Sequence, residues 1–139
     1  MENVDNTVVI YAGFWKRLLA YIVDLLVMLP VFAIFAFIIG ALIDPIDDGS
    51  IRLLANLLAW PYYAFSESSS WQGTVGKKVL GLKVTDINGN SITFGKASVR
   101  FFSKILSGLI LGLGYFMAAL TTRKQALHDI FADCLVVCR

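Results

Sequence analysis

The sequence predicts an α-helical integral membrane protein with two transmembrane helices, a third hydrophobic element broken by glycine, and a small cytoplasmic β-hairpin. Three observations predict it. The 139 residues are 58% hydrophobic and 16% charged, with mean hydropathy +0.73, whereas soluble domains carry about 25% charged residues. Between Leu18 and Ile43 the sole charged side chain is Asp24, and that run exceeds the roughly 20 apolar residues needed to cross a hydrocarbon layer about 30 Å thick. A polar, basic, glycine-rich stretch at 72–100 then separates two further apolar runs. No Gly/Ser-rich or Pro-rich linker divides the chain, so residues 1–139 are read as a single membrane domain.

The segment before the first run, MENVDNTVVIYAGFW, is acidic and lacks a small-residue cleavage site, so helix 1, residues 14–43, is expected to stay in the mature protein. Lys16 and Arg17 mark its start, where long cationic side chains snorkel to headgroups, and Pro30 is expected to kink it. Asp44 to Ser50, with Pro45 and Gly49 as breakers, reads as an acidic loop. Helix 2, residues 51–65, is short for a span; it crosses if Arg52 snorkels at one end and Tyr62, Tyr63 and Trp71 form an aromatic belt at the other. Glu67, just beyond it, reads as interfacial.

Within 72–100, Val79 to Asp86 and Ser91 to Phe94 flank Ile87-Asn88-Gly89-Asn90, and Asn-Gly between β-prone runs is a strong hairpin signal. A hairpin alone is marginal in water, and Leu135–Val137 is the expected third strand. The third hydrophobic element, residues 101–122, carries Gly108 and Gly112 in GxxxG spacing, which admits a second helix closely or marks a break. Six Lys and Arg against one acid between Gly73 and Lys104 place that side and the N-terminus in the cytoplasm. Arg123 and Lys124 in the closing segment 123–139 fit the same side, which favours a re-entrant or broken third element over a full crossing.

The chemistry-bearing residues are few. Gly73 to Lys78 departs from a phosphate loop, with Trp71 where the first glycine belongs and Lys78 in place of Ser/Thr; it reads as a basic turn near anionic headgroups. His128 is the lone histidine, and with Cys134 and Cys138 it makes no recognised zinc spacing. It reads as a helix-end hydrogen bonder at the membrane surface, and the cysteines as inert apolar residues. No nucleophile–base pair stands out. Enzymatic activity, a metal, a cofactor and nucleic acid as a partner are therefore not expected. Asp24 is the unusual residue, because a carboxylate inside a membrane is either partnered or functional. Arg17 lies seven residues earlier, roughly 10 Å along the helix, too far for direct contact, so a third group such as Asn56 is expected between them. That offset also puts Asp24 nearer the cytoplasmic interface than the midplane. Locking helix packing and binding a cation or proton are both open to it.

Three segments in order carry a family resemblance over nearly the whole chain. They are Gly13-Phe14-Trp15-Lys16-Arg17-Leu18-Leu19-Ala20-Tyr21-Ile22-Val23-Asp24, then Gly76-Lys77-Lys78-Val79-Leu80-Gly81-Leu82-Lys83-Val84, then Gln125-Ala126-Leu127-His128-Asp129. Together they resemble the RDD family of small bacterial and archaeal membrane proteins, named for one arginine and two aspartates. The resemblance implies that Arg17 is the family arginine, Asp24 the first aspartate, and Asp129 the second, with Asp86 its rival. Similar proteins tend to carry a small residue such as glycine where Asp133 stands, so Asp133 is expected to disturb a tight turn. The resemblance implies a bacterial or archaeal plasma membrane, and cation/proton exchange is suggested for some members. The expected function is thus a multi-pass inner-membrane protein, in contact with the lipid bilayer, that as a homo-oligomer exchanges a sodium-like monovalent cation for protons at Asp24. The alternative is a non-catalytic scaffold or accessory subunit that binds other membrane proteins through the Gly108–Gly112 face and the hairpin.

Overall fold

The computed structural model describes residues 9–43, 47–110 and 112–139. Asp44 to Ile46 of the expected acidic loop and the first eight residues lie outside the described residues. The first helix, α1 (Phe14–Leu42), runs through Pro30 without interruption. Its 29 residues extend about 44 Å at the usual helical rise. It buries Ala20, Asp24 and Met28, one stripe at four-residue spacing. Most of its remaining apolar surface is open, with Phe37 79% and Leu42 75% exposed. Among the described residues α1 is the one helix that by itself is long and apolar enough to cross a membrane.

The second helix, α2 (Asp48–Ser68), is longer at both ends than the 51–65 that hydropathy suggests. Asp47 caps its start, accepting from the Ser50 amide at 3.0 Å and the Ser50 hydroxyl at 2.6 Å, a side-chain cap that an apolar run does not reveal. A short helix, α3 (Val75–Val79), is capped by Thr74 and leads into β1 (Leu82–Asp86).

The Asn-Gly turn forms, but the hairpin does not. Gly89 adopts φ +86°, and the Asp86 carboxylate accepts from the Asn88 and Asn90 amides at 2.9 and 2.8 Å. Thr93 then accepts from the Lys96 amide and starts α4 (Phe94–Leu109) where a return strand was expected. The buried residues Ala97, Arg100, Phe101 and Ser107 explain why: they follow helical spacing, and burying that stripe outweighs the β preference of Ser91 to Phe94. The partner of β1 is β2 (Cys134–Cys138), antiparallel from Leu82 against Cys138 to Asp86 against Cys134. Residues Ile10 to Ala12 bond the other edge of β2, through Ala12 N to Val136 O and Cys138 N to Ile10 O, both at 2.8 Å.

The third hydrophobic element is broken. Gly112, at φ +74°, caps α5 (Leu113–Leu120), which meets α4 at 105°. The glycine that admits a close neighbour is Gly114, where an added Cβ would lie 2.7 Å from Ser107 Oγ and 3.1 Å from Leu127 Cβ. A Cβ added at Gly108 would meet nothing within 4 Å among the described residues, so within one copy Gly108 is an open position on α4 and Gly112 marks the helix break. A last short helix, α6 (Leu127–Phe131), precedes β2. The core of Ala12, Ala20, Ala64, Leu82, Val84, Ile92, Ala97, Ala132, Cys134 and Val136 joins the sheet to the helices. Sheet, α3 and α6 all gather around the Arg17 end of α1.

Candidate functional site: two buried polar clusters

Asp24 and Asp129 each anchor a buried cluster, and the clusters are built differently. Asp24, 1% exposed, is reached from α2 and from the start of α3. Tyr62 Oη donates to its Oδ1 at 3.0 Å, the Gly76 amide donates to the same oxygen at 2.8 Å, and Thr74 Oγ1 donates to Oδ2 at 2.5 Å. The close approach depends on glycine: a Cβ on Gly76 would sit 2.0 Å from the Ala20 carbonyl oxygen. The missing side chain thus lets α3 lie on α1 with its amide aimed at the carboxylate.

Asp129 lies at the centre of an ionic chain. Arg17 pairs with its Oδ2, while Arg100 Nε and Nη2 both approach Oδ1 at 2.7 Å. Arg17 also donates to the carbonyls of Ala12 at 3.0 Å and Lys124 at 2.6 Å, which ties α1 to the segment after α5. The third guanidinium nitrogen of Arg100, Nη1, lies 2.7 Å from Glu67 Oε1. Lys77 pairs with that same oxygen, and Lys104 Nζ stands 3.7 Å from it. Four cationic side chains therefore answer to two carboxylates, and α1, α2, α3, α4 and α6 are all joined.

The electrostatics follow from burial and charge. Burial alone would raise the Asp129 carboxyl, but Arg100 and Arg17 override it and hold it well below the usual carboxylate range. Burial pushes the His128 imidazole well below its ordinary value; Asp129, with Oδ1 3.5 Å from Nε2, opposes this, and Arg100 reinforces it. His128 is thus a neutral, 4%-exposed side chain whose Nδ1 has no hydrogen-bond partner among the described residues. Burial, and then Arg100, push Lys77 down to about 7 against the pull of Glu67. Burial raises the Cys134 thiol to about 11, which makes it a poor nucleophile. Among the described residues no three His, Cys, Asp or Glu side chains are placed to share a metal ion.

Several expectations change against this geometry. Among the described residues no group bridges Arg17 to Asp24; each belongs to its own cluster. Asn56 is exposed and donates to the Arg52 carbonyl of its own helix at 2.9 Å, because its turn of α2 lies beyond the polar clusters. Glu67 is 1% exposed, at the junction of three cations, rather than an unpartnered acid at a helix end. Lys77 is buried with it, while Lys78 stays exposed over the Trp71 ring. His128 sits inside the fold, 5.3 Å from the Tyr115 ring, and the helix-end bond falls to Asp129, which accepts from the Ala126 amide at 3.2 Å. Arg100 and Thr74 were not singled out from the sequence, and Tyr62 was read as part of an interfacial aromatic belt rather than as a partner of Asp24. Arg100 left one usable signal, a charge on the same helical stripe as Ala97 and Phe101.

A model of the RDD family matches residues 11–133. The chain belongs to the RDD family. A Bacillus subtilis (strain 168) relative, described as uncharacterized protein YxaI, is 34% identical over 91% of this chain and 96% of its own length. A second relative from the same strain, described as uncharacterized membrane protein YteJ, is 28% identical over 91% of this chain and 80% of its own. No solved structure matches. The family and the description of YteJ point to a membrane location. Of the three residues that the RDD resemblance singles out, Arg17 and Asp129 are in contact and Asp24 stands apart. Asp86, the rival second aspartate, caps a turn.

Proposed function

We propose that this RDD protein exchanges a monovalent, sodium-like cation for protons at Asp24, acting as an oligomer in the plasma membrane. One observation carries the reading: Asp24 is a buried carboxylate with no cationic partner among the described residues. Tyr62 and Thr74 add hydroxyl oxygens beside it. Hydroxyls donate or accept as their protons rotate. The same oxygens can therefore turn lone pairs towards a hard cation or stabilise the carboxylate alone. A proton or a cation neutralises Asp24, and competition for one carboxylate is what couples the two. Arg17, fully engaged by Asp129, has no part in that step.

In this reading α1 and α2 cross the bilayer and α4–α5 enters and returns. The N-terminus, the sheet and α6 then share the cytoplasmic side, which the basic residues of 73–104 favour. One copy encloses no path, and the uncovered face of α1 calls for lipid or a second copy. The open Gly108 position supports the rival scaffold reading, in which a partner helix docks on α4. The test is a proteoliposome assay. Purified protein should give a sodium-dependent pH change that Asp24→Asn abolishes; no pH change, or one that survives in Asp24→Asn, rules the exchange out. Gly108→Leu should leave the exchange intact, and loss of a co-purifying partner in that variant would move the function to the scaffold.

A further inference from the structure

Beyond the Asp24 site, α1 and α2 part and leave a cleft open to the side. Its outer half, about 340 Å³, lies between Phe32 to Ile43 of α1 and Ile51 to Ala55 of α2. Its inner half, about 250 Å³, reaches Tyr21, Tyr63 and Lys104. The halves adjoin at Phe32 and Ala55, which line both. From Tyr21 to Ile43 the cleft extends about 33 Å by helical rise. The walls are apolar and aromatic apart from Asn56, and Lys104 is the one cation among the residues that line them.

Lys104 is the cation that the ionic chain satisfies least. Glu67 is shared by three cations, and Lys104 is the farthest of them, 3.7 Å from Oε1, with its ammonium 4.4 Å from the Tyr63 ring centroid. A half-buried, weakly paired cation beside an apolar groove complements an amphiphile with an anionic head and a hydrocarbon tail. We propose that the cleft binds an anionic phospholipid, with the phosphate at Lys104 and one acyl chain along Phe32 and Ala55. The groove is as long as a hydrocarbon layer is thick, so a chain from one leaflet fills the half beside Lys104. The apolar helix of a second copy would match the walls but offer nothing to the ammonium.

Native mass spectrometry of the full-length protein released from detergent tests this. Dioleoylphosphatidylglycerol should be retained at about tenfold lower concentration than dioleoylphosphatidylcholine, the effect of one charge-assisted contact. Lys104→Gln should erase that preference and Lys104→Arg should keep it. Ala55→Phe, which fills the groove without touching the ionic chain, should weaken retention of phosphatidylglycerol. Equal retention of both lipids, or a preference that survives in Lys104→Gln, overturns the proposal. So does a lipid-free dimer that Ala55→Phe splits, since the occupant is then a second copy. Should Lys104→Gln not fold, Lys104→Arg and Ala55→Phe still decide.

Discussion

Asp24 and Asp129 are buried alike, 1% and 0% exposed, yet their charges are met by different means. Asp129 is held by two guanidinium groups in a chain that joins five helices. Asp24 is held by two hydroxyls and one amide, with no full positive charge against it among the described residues. The first arrangement is expensive to break, because removing one partner strands the others as buried, unpaired charges. The second can change its occupant, since protonation or a bound cation removes the charge without stranding any other. Asp129→Ala should therefore cost about 3–5 kcal/mol, enough to unfold much of the protein. Asp24→Asn keeps its size and most of its hydrogen bonds and should cost about 1 kcal/mol. Tryptophan-monitored thermal unfolding in detergent measures both, and equal losses would erase the distinction between a structural and an exchangeable carboxylate.

The sequence made one side of this contrast far more legible than the other. An apolar run with a single acid displays Asp24 and α1 without any tertiary information, and Asn88-Gly89 displays its turn. What surrounds each aspartate comes from distant parts of the chain. Asp24 meets Thr74 and Gly76 some fifty residues on, and Arg17 meets Asp129 over a hundred residues on. No local pattern encodes such pairs. Glu67 looked interfacial because it follows the end of an apolar run, whereas α2 continues through Ser68 and turns it inward. The hairpin was misread because Ser91 to Phe94 has β propensity while the stripe from Ala97 to Ser107 has helical period, and burial of the stripe decided. The tight turn that Asp133 was expected to disturb forms all the same, with Asp133 itself taking the left-handed backbone at φ +49°.

Acid should separate the clusters as well. Folded His128 is neutral, its pKa well below 6.5 because it is buried, whereas unfolding restores the ordinary value. Below about pH 6.5 the unfolded chain thus takes up a proton that the folded chain refuses. Stability should then fall with acidity by at most about 1.4 kcal/mol per pH unit. Asp129 has a depressed folded value, so its contribution is intact above its ordinary 3.8 and is lost as pH drops below that. Between pH 6.5 and 5 the loss therefore belongs to His128. A His128→Gln protein should show a flatter unfolding profile over that interval; an unchanged slope would move the acid response out of the Asp129 cluster.

The smallest effect concerns the turn that follows Asp129. Asp133 ends α6 with its amide bonded to the Ile130 carbonyl at 3.2 Å and with φ +49°, a backbone region that costs most L residues about 1–2 kcal/mol and aspartate less. Glycine adopts it freely but gives the unfolded chain more freedom, about 0.5–1 kcal/mol in the other direction. The two nearly balance, so Asp133→Gly should stabilise by no more than about 0.5 kcal/mol. Its value lies in where the gain falls. Hydrogen exchange should slow in α6 and β2, whose positions set the Arg17–Asp129–Arg100 contacts, and remain unchanged at Gly76 beside Asp24. If protection rises at Gly76 too, the clusters share one cooperative unit, and the freedom to exchange ascribed to Asp24 would have to be won against the whole ionic chain.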